Sequence, residues 1–132
     1  MIHYGFTKEL DIPYETVIKL VKEALKKEGF GVLTEIDVKE KMNEKLGLDM
    51  KKYIILGACN PPSAYRAILA EENIGLMLPC NVIVYERGSK TVLSVVRPTV
   101  AMQMIGNVEL QVQFGAIEPG DGLRQSMPGN LS

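Results

Sequence analysis

Two cysteines set the chemical possibilities of this sequence. Cys59 follows an apolar run, Tyr53-Ile54-Ile55-Leu56-Gly57-Ala58, and precedes Asn60-Pro61-Pro62. That places a thiol between the end of a buried strand and the start of a helix. A helix N-terminus favours an anion, so free N–H groups there can lower a thiol pKa and raise the thiolate fraction. Cys80 lies within Leu78-Pro79-Cys80-Asn81 and is its possible partner. A disulfide requires Cα atoms within about 7 Å. Antiparallel strands after Ala58 and Pro79 allow that approach. A parallel crossover places the thiols at opposite sheet edges, about 17 Å apart for a five-residue strand. The plain alternative is packing, because free cysteine is among the most buried residue types.

The flanking residues admit two readings. Asn60 and Asn81 suit caps and turns, and Pro61, Pro62 and Pro79 stiffen the chain. Alternatively, Cys59, Asn60, Pro61, Cys80 and Asn81 line a rim whose backbone amides bind an anion. His3 is the single histidine, so a zinc site within one chain would need carboxylates such as Glu35 or Glu86. Met77 is the methionine nearest a cysteine, and with Cys59 and Cys80 it makes a soft-metal set conceivable. No Walker loop, GxGxxG, GxSxG or HExxH motif occurs. The acidic residues spread over helix surfaces without forming a catalytic pair.

These residues need elements to position them. A helix after Pro13 is the clearest, with Val17, Leu20, Val21, Ala24 and Leu25 on one face and Gly29 as its stop. Asp11 offers its cap. Residues 2–7 and 30–38 read as strands. Asp37 and Glu40 resemble a cap for a short helix over 39–46, with Val38, Met42 and Leu46 in line and Gly47 ending it. Tyr53 to Ala58 suits a central strand. A helix over 63–72 follows, with Ala64, Ala67 and Ile68 inward, and residues 73–79 return the chain in extended form. Residues 81–86 and 91–96 flank Arg87-Gly88-Ser89-Lys90 as a hairpin. A short helix is expected over 99–105. The order β-α-β-(α)-β-α-β-β predicts an α+β fold, a two-layer, mostly antiparallel sheet with helices packed on one face.

Three segments carry a family resemblance: Leu56-Gly57-Ala58-Cys59-Asn60-Pro61 with Ala64 and Ala67, Gly75-Leu76-Met77-Leu78-Pro79-Cys80-Asn81-Val82 leading into Val84-Tyr85-Glu86, and Gly29-Phe30-Gly31-Val32. Over about residues 1–107 the chain resembles the uncharacterised family called domain of unknown function 302. The resemblance implies a compact α+β domain, often dimeric, with no established activity. Members usually close with a charged amphipathic helix after the position of Asn107. Here residues 108–132 turn Gly- and Pro-rich and read as an irregular arm beyond a single domain over 1–107.

Composition narrows the function classes. The chain has 132 residues, 46% hydrophobic and 23% charged, with a net charge of −1, a size and mix that support one folded domain. The balanced charge argues against a nucleic-acid partner. No apolar run reaches the ~18 residues of a membrane span, and the N-terminus lacks a signal-peptide pattern. A cytoplasmic protein with reduced thiols is the expectation. The leading expectation is a non-catalytic binding or interaction module acting as a homodimer. A thiol-dependent redox or sulfur-handling role on Cys59 and Cys80 is the first alternative, and a soft-metal or haem carrier the second. A small-molecule or metal ligand remains open in each.

Overall fold

Apolar side chains at every second position of three strands build the covered face of a sheet. The computed structural model describes residues 4–99, 105–109 and 127–128. Its elements run β1 (Gly5–Leu10), α1 (Tyr14–Lys27), β2 (Gly31–Asp37), α2 (Val38–Leu46), β3 (Tyr53–Cys59), α3 (Pro61–Ala70), a 3-10 segment (Glu72–Met77), β4 (Cys80–Arg87) and β5 (Lys90–Val96). The five strands form one antiparallel sheet in the order β1-β5-β4-β3-β2. This is the expected two-layer α+β architecture.

Register decides which residues meet the helix. Leu56 pairs with Val82 and Val82 with Val95, while Ile54 pairs with Val84 and Val84 with Leu93. All six are buried together with Val17, Val21, Ala24 and Leu25 of α1. Period 2 on the strands and period 3.6 on the helix thus converge on one aliphatic core. Met127, from the Gly- and Pro-rich segment, is buried in the same core.

Several local expectations change. β1 starts at Gly5 and runs to Leu10, because its partner β5 extends the pairing from Gly5↔Val96 to Leu10↔Thr91. Asp11 does not cap α1. Pro13 holds the cap position without a side-chain bond, and Asp11 pairs with Lys90 of β5 instead. Glu15 reaches Lys52 at 2.5 Å and Lys22 reaches Glu35 at 2.9 Å, so these α1 charges tie the helix to neighbouring strands and loops. α2 has the expected ends: Asp37 accepts from the Glu40 N–H, and Gly47 takes the left-handed conformation at φ 65°. Its apolar stripe, however, buries nothing. In α3 the inward residues are Ser63 and Ala67, and Ile68 points outward. The return from α3 is a 3-10 segment, not an extended strand. His3 and most of the helix expected over 99–105 lie outside the described residues.

Candidate functional site

The five singled-out residues meet at one corner of the sheet. β3 ends at Cys59 and β4 begins at Cys80. Between them Ala58 pairs with Cys80 and Gly57 with Asn81. The two strands run antiparallel, the arrangement that brings the two residues to neighbouring positions on adjacent strands. Both cysteines are free and half-buried. The register leaves Cys59 one residue past the partner of Cys80. Successive strand residues point to opposite faces, so the Cys59 and Cys80 side chains leave opposite faces of the sheet instead of facing one another.

Asn60 turns the chain from β3 into α3. Its side chain accepts from the Ser63 N–H at 3.2 Å and donates to the Gly29 carbonyl at 3.4 Å. Asn81 differs: it is an exposed residue within β4, not a cap or turn residue. Pro61 and Pro62 occupy the first two positions of α3. That placement removes the expected thiolate activation. A proline has no N–H to offer. The next two amides are engaged, Ser63 with Asn60 Oδ1 and Ala64 with the Asn60 carbonyl at 3.0 Å. The helix start therefore keeps no spare donor for Cys59 sulfur.

The electrostatics agree with this arrangement. Burial pushes the Cys59 thiol up, and it pushes Cys80 up to about 11, with the nearby Cys59 adding to the effect. At pH 7 a thiol with that pKa is ionised in roughly one molecule in ten thousand, and the thiolate is the nucleophile. Both cysteines are thus neutral groups at rest. Cys80 packs with Met77, Leu78 and Ala70 against Ala67 and Ile74, a small apolar cluster beside the main core.

The remaining candidates separate. Glu35 pairs with Lys22, and Glu86 lies at the far end of β4, across from Thr91. Among the described residues no group of three His, Cys, Asp or Glu side chains gathers to hold a metal. No helix of the described residues is long and apolar enough to cross a membrane.

Two features escaped the sequence. The first is the contact over Gly57, where a Cβ would sit 2.2 Å from Thr34 Oγ1 and 2.6 Å from Pro79 Cγ. It joins three segments distant in sequence, and no local pattern announces it. The second is the exposed apolar side of β2 and α2. Leu33 is the extra residue at a bulge between Val32 and Thr34 and is 65% exposed, and Ile36 is 44% exposed. Leu46 and Leu48 are exposed beside them in the chain. The polar alternation of Thr34-Glu35-Ile36-Asp37 was the available signal, since it marks a strand not covered on both faces.

Comparison with known proteins gives a consistent placement. The family model described as "Domain of unknown function DUF302" matches residues 6–127, running past residue 107 into the Gly- and Pro-rich segment. The crystal structure of an uncharacterized conserved protein DUF302 from Bacillus stearothermophilus is similar, with 31% sequence identity and a TM-score of 0.85. The similarity covers 96% of this chain and 97% of that one. No curated protein matches the sequence. With a family model spanning nearly its whole length and a close structural counterpart, the chain belongs to the DUF302 family, a domain of unknown function.

Proposed function

We propose that this domain is a non-catalytic interaction module that pairs with a second copy of itself through β2 and α2. The observation that carries the reading is the exposure of these two elements. β2 is exposed along nearly all of its length, and α2 has no buried residue. A helix that buries nothing on its own chain has little tertiary support, because helices in proteins draw most of their stability from packing an apolar face.

The edge itself favours a second copy as occupant. An outer strand presents unpaired N–H and C=O groups, a template for another strand. Two identical strands related by a two-fold axis run antiparallel and satisfy each other's groups. If the axis passes at Thr34, Glu35 of each chain meets Leu33 of the other, and the acidic groups Glu35 and Asp37 do not oppose like charges. The opposite edge is less apolar: the exposed residues of β1 are Thr7, Lys8 and Glu9, whereas β2 exposes Leu33 and Ile36 beside its charges. The neutral thiols favour this reading over redox chemistry, which needs an accessible thiolate.

Leu33 supplies the test, because its side chain is mostly outside the monomer's own core. Leu33→Lys is expected to leave the circular dichroism spectrum and unfolding midpoint nearly unchanged, since exposed substitutions usually shift stability within about 0.5 kcal/mol. In sedimentation velocity the wild type is expected as a dimer and the variant as a monomer. A wild type that stays monomeric through the high-micromolar range, or a variant that dimerises as well as the wild type, removes the proposal.

A further inference from the structure

We propose that, in the pair formed through β2, α2 of each copy packs on α3 of the other, with the Met42–Leu46 ridge against Tyr65 and Leu69. The inference rests on the β2 pairing and adds to it a second contact, made twice by symmetry.

The composition of α3 is the starting point. Its sequence, Pro-Pro-Ser-Ala-Tyr-Arg-Ala-Ile-Leu-Ala, holds one charge, Arg66. Ser63 and Ala67 are the buried residues. Tyr65 and Leu69 lie on the opposite side of the helix, 64% and 68% exposed, and Ile68 beside them is 45% exposed. A helix that is apolar all round belongs between two covering surfaces, and its own chain supplies one. α1 shows the contrast, since its outer side carries the exposed charges Lys19, Glu23 and Lys26. α2 has the matching need. Val38, Met42 and Leu46 form a stripe at four-residue spacing, none of them is buried, and Leu46 is 64% exposed.

Register brings these two helices together across the pair. Gly31 is the partner of Cys59. With the two-fold axis at Thr34, the free side of Gly31 takes Asp37 of the second copy. That strand and β3 are both antiparallel to β2, so they run the same way and finish level with each other at one end of the sheet. α2 of the second copy starts one residue past Asp37, and α3 starts two residues past Cys59. Two strand spacings separate the starts, about 10 Å in all. Packed helices stand about 8–10 Å apart. Both exposed stripes are four-residue ridges, the rows that interdigitate in the commonest class of helix packing. The first turn of α3 is fixed at this end of β2 by the Asn60 side chain, which donates to the Gly29 carbonyl at 3.4 Å.

Sedimentation equilibrium of two charge variants tests this contact. Leu46→Lys and Leu69→Glu are each expected to weaken pairing about tenfold or more, because each change enters a two-fold pair twice. Both positions are exposed, so the circular dichroism spectrum and unfolding midpoint are expected to stay near wild type. An equimolar mixture of the two variants is expected to recover pairing. The mixed pair joins the introduced lysine to the introduced glutamate at one contact and keeps leucine against leucine at the other. Variants that pair as tightly as wild type, or a mixture no better than either variant alone, overturn the contact between α2 and α3. Leu33→Lys separates the two readings: pairing lost in that variant but kept in both helix variants leaves the β2 reading standing and removes this one. A wild type that never pairs removes both.

Discussion

Gly57→Ala is expected to destabilise the domain by about 3 kcal/mol, the upper part of the range for overpacking a filled site. The residue is buried in mid-β3, and the space above it is occupied from two sides. A new Cβ would come to 2.2 Å from Thr34 Oγ1 and 2.6 Å from Pro79 Cγ. The threonine hydroxyl can rotate away. The proline ring cannot, because it is held between the end of the 3-10 segment and Cys80. Thr34→Ala in the Gly57→Ala background should therefore recover part of the loss and leave the part due to Pro79. Equilibrium urea unfolding of the two single variants and the double variant measures this coupling directly. Strict additivity of the two substitutions would mean that Thr34 does not fill the space over Gly57.

The second large effect is alkaline. Cys80 is held neutral by burial, with its thiol pushed up from 9.0 to about 11. The unfolded chain gives up that proton earlier, so between the two values the folded state binds more protons and stability falls as pH rises. The contribution is fully present below about pH 9 and is lost as pH climbs through 11. It amounts to about 2–3 kcal/mol for two units. Tyr14 acts in the same direction at higher pH: burial first, then the charges of Asp37, Glu15 and Glu86, push its hydroxyl up to about 12. Urea midpoints at pH 8 and pH 10.5 should therefore fall markedly for the wild type and much less for Cys80→Ala, which has no proton to lose at that position. Equal losses in the two proteins would place the alkaline sensitivity elsewhere.

Both effects arise at a corner that the sequence located but could not describe. Cys59 and Cys80 could be placed near each other on one condition, antiparallel strands, and β3 and β4 meet it. The function of the residue between them and the helix was harder to read. A thiol before a helix start suggests activation, yet the same Pro61 and Pro62 that announce the helix remove the N–H groups that activation needs. Gly57 looked like one more small residue in an apolar run. Its role depends on Thr34 and Pro79, which reach it only through sheet register and the path of the 3-10 segment.

Legibility followed the length and redundancy of the local signal. α1 has five apolar residues in phase and a glycine after its end, and four of those five are buried. Leu20, at the margin of the stripe, is left partly exposed. The β4–β5 hairpin was readable from Gly88, which takes φ 60° in the turn. α2 has correct caps and a correct stripe, but a stripe reports only that a face is apolar, not that this chain covers it. The same limit applies to Ile68 of α3. The β2 edge was visible only after register had placed β2 outermost, because strand order depends on long-range pairing that periodicity does not encode.

Backbone amide exchange along β2, followed at two protein concentrations, tests the pairing of chains most directly. In a monomer the outward amides of an edge strand exchange quickly, since water is their only partner. The account predicts that exchange across Gly31–Asp37 slows as protein concentration rises, and that Leu33→Lys abolishes the slowing while α1 and β4 stay protected. Fast, concentration-independent exchange on β2 in a protein that sediments as a dimer would contradict the account and move the contact to another face.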